Sequence, residues 1–119
     1  MGCGSASARE PNSKENFILL NSGNKMPKVG LGTFTMSEKE RDVAVLKKAI
    51  LEDGYRHIDT ATLYGNEELI GETLEEIFKG DQVKREDLFI TTKLWVNETD
   101  DPAGALKKSL ERLKLDYVD

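Results

Sequence analysis

Apolar side chains first gather at Phe17-Ile18-Leu19-Leu20, behind a stretch from Met1 to Asn16 of small and polar residues with almost nothing to bury. Such a segment does not offset its own ordering entropy, so residues 1–16 read as a flexible tail. The apolar run, the turn residues Asn21-Ser22-Gly23-Asn24 and a return over Lys25 to Val29 predict a β-hairpin. Beyond it, short β-forming runs alternate with stripes at helical spacing. Val29 to Phe34 reads as a strand. Ser37 with Glu40 forms a capping box that opens a helix, on which Val43, Leu46, Ala49 and Ile50 share one face, and Gly54 is placed to end it. Tyr55 to Thr60 is the next strand. Asn66 caps a second helix striped by Leu69, Ile70, Thr73, Leu74, Ile77 and Phe78 and stopped at Gly80. Leu88 to Leu94 is a third strand. Asp101-Pro102 opens a third helix lined by Ala105, Leu106, Ser109, Leu110 and Leu113, and Tyr117-Val118-Asp119 begins a fourth strand.

Strand and helix alternating about every thirty residues is the pattern of βαβ units with parallel strands, an α/β fold. Periodicity leaves two architectures open, a doubly wound sheet and a piece of a β/α barrel. Gly30-Leu31-Gly32 has no third glycine opening a helix at the spacing a dinucleotide fingerprint requires. The composition narrows the partners. With 17 basic and 22 acidic residues the net charge is -5, which disfavours a phosphate backbone and argues against nucleic acid. The single cysteine, Cys3, permits neither an intrachain disulfide nor a zinc site of several thiolates, which reads as a reducing, cytoplasmic setting.

In parallel α/β folds, chemistry collects at the carboxyl ends of strands. Alternation puts His57 and Asp59 on one face of the second strand, and Thr91 and Lys93 on the matching face of the third. Tyr64 follows on the loop after the second strand. A tyrosine, with an ordinary pKa of about 10, is a weak proton donor at neutral pH, and a neighbouring lysine cation makes it a better acid. An aspartate on that lysine would keep it charged and oriented. The same residues also fit a plain ion pair at a sheet edge, with Tyr64 as a loop anchor. His57, the one histidine, reads as a bonded polar filler.

The run Gly54-Tyr55-Arg56-His57-Ile58-Asp59-Thr60-Ala61, then Leu63-Tyr64-Gly65-Asn66-Glu67 and Ile70-Gly71, closely resembles the aldo-keto reductase signature. Met26-Pro27 and Gly30-Leu31-Gly32-Thr33 precede it. Lys84-Arg85-Glu86-Asp87-Leu88-Phe89-Ile90, Thr92-Lys93-Leu94-Trp95 and Leu113-Lys114-Leu115-Asp116-Tyr117 follow in the family's order, so the resemblance covers residues 17–119. It implies the N-terminal portion of a (β/α)8 TIM barrel, with an N-terminal β-hairpin and about three βα units, unclosed, in an enzyme that reduces aldehydes and ketones with NADPH. By the same resemblance Tyr64 is the general acid, Lys93 tunes it, and Asp59 supports the lysine and touches the cofactor. Gly32 and Thr33 lie against the cofactor, and Phe34 and Trp95 wall the substrate pocket beside Tyr64. Phe34 stands where the family usually has tryptophan. The family's fourth catalytic residue, a histidine after the fourth strand, falls beyond Asp119.

A barrel of this class takes roughly 250 residues. The expectation is therefore a truncated chain, marginally stable, self-associating through its open sheet edge and poorly active alone. The alternatives are a non-catalytic half-barrel that serves interaction or regulation, and a different enzyme on a similar half-barrel. Met1-Gly2-Cys3 resembles the start of dually acylated proteins, which offers membrane attachment through Gly2 and Cys3, although Ala6 stands where the motif wants Ser or Thr. Asn97-Glu98-Thr99 fits a glycosylation acceptor, expected to stay bare without a secretory signal.

Overall fold

The structure, a computed structural model, describes residues 16–119. The tail and the acylation motif at Gly2 and Cys3 therefore lie outside the described residues, Asn16 excepted. Strands β1 (Phe17–Leu19) and β2 (Lys25–Pro27) pair antiparallel, with Ile18 opposite Met26. The predicted turn closes between them: the Leu20 amide donates to the Asn24 carbonyl at 2.9 Å, and Gly23 takes φ +88°, a left-handed conformation that costs glycine nothing.

The second sheet is parallel, in the order β3 (Leu31–Gly32), β4 (His57–Asp59), β5 (Phe89–Thr91). Ile58 faces Leu31 on one side and Ile90 on the other, while Asp59 sits opposite both Gly32 and Thr91. The crossovers are α1 (Lys39–Leu51) and α2 (Glu67–Lys79), and α3 (Pro102–Leu113) follows β5. The helices cover the face of Ile58 and Ile90. Both isoleucines are fully buried, among Leu46 and Ile50 of α1, Ile70, Leu74 and Ile77 of α2, and Leu113 of α3. Each such side chain contributes roughly 1.5–3 kcal/mol of burial. The sheet does not close on itself, as expected of a partial barrel.

Three local expectations are corrected. The box of Ser37 and Glu40 does not form. The helix begins after Glu38, and the buried carboxylate of Asp42 instead accepts from the Ser37 and Glu38 amides at 2.6 and 2.7 Å. Asp42 lies on the core side of the helix, so its carboxylate reaches the preceding turn where Glu40, in solvent, does not. Leu106 is 44 % exposed rather than part of the buried stripe, because only one flank of α3 is packed and the buried line is Ala105, Ser109 and Leu113. Tyr117-Val118-Asp119 forms no strand, although the Asp119 amide already donates to the Ile90 carbonyl beside β5 at 2.9 Å.

Asp42 yields a pH prediction. Its hydrogen bond from Arg41, helped by the Glu38 and Ser37 amides, holds the carboxyl below its ordinary value of 3.8. A depressed folded value stabilises above the unfolded one and is lost as pH falls through the folded one. In urea melts, Asp42→Asn is expected to lower the midpoint at neutral pH, with the gap closing in acid. A gap that widens in acid would contradict this cap.

Candidate active site

Three elements deliver the polar cluster. Asp59 ends β4, Lys93 stands just past the end of β5, and Tyr64 ends a tight 3-10 turn, Thr62–Tyr64, that leaves β4. Pairing continues beyond the strands: the Thr60 amide donates to the Thr91 carbonyl at 2.8 Å and the Thr62 amide to the Lys93 carbonyl at 3.0 Å. The turn that carries Tyr64 is thus fastened to the backbone of Lys93 itself. Gly65 follows with φ +66° and lets the chain reverse into α2.

Lys93 Nζ donates to Asp59 Oδ1 at 2.7 Å, to the Thr60 carbonyl at 2.9 Å and to Tyr64 Oη at 3.4 Å. Partial burial pushes the ammonium down, but its bonds to Asp59 and Tyr64 together outweigh that and hold it above the ordinary lysine value of 10.5. Lys93 is therefore a fixed cation through the neutral range. The Tyr64 ring meets Phe34 edge-on, with centroids 5.0 Å apart, and Phe34 is otherwise 65 % exposed. Trp95 is exposed at the head of the turn Val96–Glu98, its amide donating to Glu98 Oε2, and it makes no aromatic pair with Phe34 or Tyr64 among the described residues.

Gly32 is exposed beside Asp59, and a Cβ placed on it would meet no atom of the described residues within 4 Å apart from its own chain neighbours. Thr33 is different: fully buried, its hydroxyl already donates to the Asp59 carbonyl at 2.9 Å. His57 is buried on the same face of the sheet as Asp59, with Nδ1 3.2 Å from the Pro27 carbonyl and Nε2 3.0 Å from Thr91 Oγ1. Both ring nitrogens are thus occupied, Nδ1 joining the sheet to the hairpin and Nε2 joining β4 to β5.

Sequence reasoning missed two residues behind the site. Asn66 does not cap α2 with its side chain. Its Nδ2 donates to the Thr33 and Met36 carbonyls at 2.6 and 3.1 Å, and its Oδ1 accepts from Thr60 Oγ1, tying the loop after β3 to the loop after β4. Glu67 is buried against Thr92, Ser109 and Arg112. The available signal was Ser109, a small polar residue inside an apolar stripe, three positions before an arginine.

A parallel sheet covered by helices on one face, with a carboxylate, an ammonium and a phenol converging at its carboxyl edge, is the arrangement of part of an α/β barrel, and groups of these types can exchange a proton. Residues 28–119 match the model of the Aldo/keto reductase family, and the chain belongs to that family. Glycerol 2-dehydrogenase (NADP(+)) of Saccharomyces cerevisiae is 48 % identical over 103 residues, covering 87 % of this chain and 31 % of the relative. Aldose reductase of Encephalitozoon cuniculi is 50 % identical over 103 residues, covering 84 % and 33 %. The crystal structure of a Bombyx mori aldo-keto reductase in complex with NADP superposes with a TM-score of 0.77 at 41 % identity, over 87 % of this chain and 36 % of that one. The chain thus spans about a third of the length of the curated relatives it matches. No helix among the described residues is long and apolar enough to cross a membrane.

Proposed function

We propose that this chain carries the proton-donating part of an NADPH-dependent reductase of aldehydes and ketones. The observation that carries the reading is the Lys93 ammonium held on Asp59 at 2.7 Å within reach of Tyr64 Oη at 3.4 Å. Tyr64 Oη would pass its proton to the carbonyl oxygen of a small substrate. Lys93, already charged, would stabilise the phenolate left behind, and Asp59 would keep the ammonium aimed. Phe34 and Trp95 would supply apolar walls for the substrate.

The chain offers a fitting floor for the cofactor. Gly32 leaves open space over the backbone next to Asp59, and no donor among the described residues reaches Asp59 Oδ2. Gly32, the backbone of Thr33 and Asp59 would hold NADPH, which when bound supplies hydride to the carbonyl carbon. Gly32→Ala should then leave the urea midpoint unchanged and weaken NADPH binding at least about tenfold, since the added methyl meets only the ligand. Equal affinity in both chains would remove Gly32 from the cofactor site.

Lys93 is exposed and the sheet is open, so water enters the site and turnover should fall well below that of an enclosed one. The test is a fluorescence titration with NADPH, followed by NADPH oxidation at high protein concentration with and without a short aldehyde. Slow, aldehyde-dependent oxidation supports the reading. A defined oligomer that binds NADPH and never oxidises it with aldehyde would favour the interaction fragment instead. A cytoplasmic location and pairing of copies through the open sheet edge belong to the same proposal, and size-exclusion chromatography checks the second. Acylation at Gly2 and Cys3 is checked by mass spectrometry of the native N-terminus, where a free or acetylated first residue ends the idea.

A further inference from the structure

One buried carboxylate takes no part in the proton transfer proposed above. Glu67, the first residue of α2, is only 2 % exposed and is bonded through both oxygens. Its Oε1 accepts from Thr92 Oγ1 at 2.6 Å, and its Oε2 accepts from Arg112 Nε at 2.7 Å and Ser109 Oγ at 3.3 Å. Arg112 Nη2 donates onward to Ser109 Oγ at 3.1 Å and to Thr62 Oγ1 at 3.5 Å, and the two hydroxyls lie 3.3 Å apart.

The ends of this network matter. Thr92 immediately precedes Lys93, and Thr62 is the first residue of the turn that ends in Tyr64. We infer that Glu67 and Arg112 are a positioning pair that fixes the separation of Lys93 from Tyr64 by clamping the residue beside one and the turn beneath the other. The inference rests on the assignment of Lys93 and Tyr64 to proton transfer.

Packing alone does not account for the pair. Taking two charges from water offsets most of their attraction, so apolar residues of similar volume would join α2 to α3 about as well. They would not supply directed bonds to Thr92 and Thr62. The bond most in need of such fixing is the lysine's longest, 3.4 Å to Tyr64 against 2.7 and 2.9 Å to Asp59 and Thr60. An ångström of drift at either anchor takes it out of range.

The test follows the titration of the Lys93 side chain by NMR in the 119-residue chain, for wild type, Thr92→Val and Glu67→Gln, with Asp59→Asn as the reference for full loss. Asp59 and Tyr64 are the titratable groups that raise Lys93. Both clamp variants should move its midpoint downward, toward the Asp59→Asn value, with an unchanged circular dichroism spectrum in Thr92→Val. Should Glu67→Gln fail to fold, Thr92→Val, which loses one hydroxyl and no volume, decides alone. A lower unfolding midpoint with the Lys93 titration unmoved would show a purely structural pair and overturn the inference. Whether Tyr64 donates a proton is decided separately by Tyr64→Phe, so a failure of the clamp is told apart from a failure of the proton-transfer reading.

Discussion

Tyr64→Phe is expected to reduce aldehyde-dependent NADPH oxidation by about 10²–10⁴-fold while leaving NADPH affinity and the far-ultraviolet spectrum unchanged. The reason lies in how little the hydroxyl does for the fold. The ring keeps its edge contact with Phe34, at 5.0 Å between centroids, and the phenol oxygen has one hydrogen bond among the described residues, the 3.4 Å contact from Lys93. Removing the oxygen therefore deletes the proposed proton donor and almost nothing else. Such a loss corresponds to about 3–5 kcal/mol of transition-state stabilisation. Lys93→Met, which leaves the phenol in place, should cost less than the tyrosine variant because a donor remains. If Tyr64→Phe kept the wild-type rate, the acid would be elsewhere and the functional reading would fail.

Gly71→Ala carries the second large effect, this time on stability. In an exposed helix interior the change would gain about 1 kcal/mol, since alanine is the better helix former. Here Gly71 is buried where α2 crosses the last turn of α3, and a Cβ would fall 2.6 Å from the Leu113 carbonyl carbon and 2.7 Å from its oxygen, with the Arg112 carbonyl closer still. Those are backbone atoms and have no rotamer by which to move aside. Overpacking of this kind costs typically about 1–3 kcal/mol and more where nothing yields, so the expected net is a loss of about 2 kcal/mol. That is a large share of the stability of a domain this small. Urea melts of the two chains measure it, and an unchanged or raised midpoint would mean that α3 slides freely on α2. The contrast with Gly32→Ala is informative, because the same methyl meets a helix at one site and open space at the other.

Much of the site was legible because it follows from local periodicity. In His57-Ile58-Asp59-Thr60 the alternation alone separates Ile58, fully buried under the helices, from Asp59 at the open face, and the same rule orients Ile90 and Lys93. The family signature then joined Asp59, Tyr64 and Lys93, and the structure brings their side chains together. Capping and bracing were not legible. Ser37 and Glu40 have the right spacing for a cap, yet Asp42 does that work from the buried side of α1. Thr33 was placed by resemblance against a ligand, and its hydroxyl is bonded to the Asp59 carbonyl within the chain.

The sequence by itself determined the order of strands and helices, the face each residue presents and the residue types gathered at the strand ends, because these depend on a residue's own backbone and its nearest neighbours along the chain. Only the tertiary structure decided what Asn66 and Glu67 hold. Asn66 reaches carbonyls 30 and 33 positions away, and Glu67 reaches Thr92 and Arg112 at 25 and 45. A buried polar group bonds to whatever donor or acceptor packing leaves beside it, and packing is fixed by how α2 and α3 settle on the sheet.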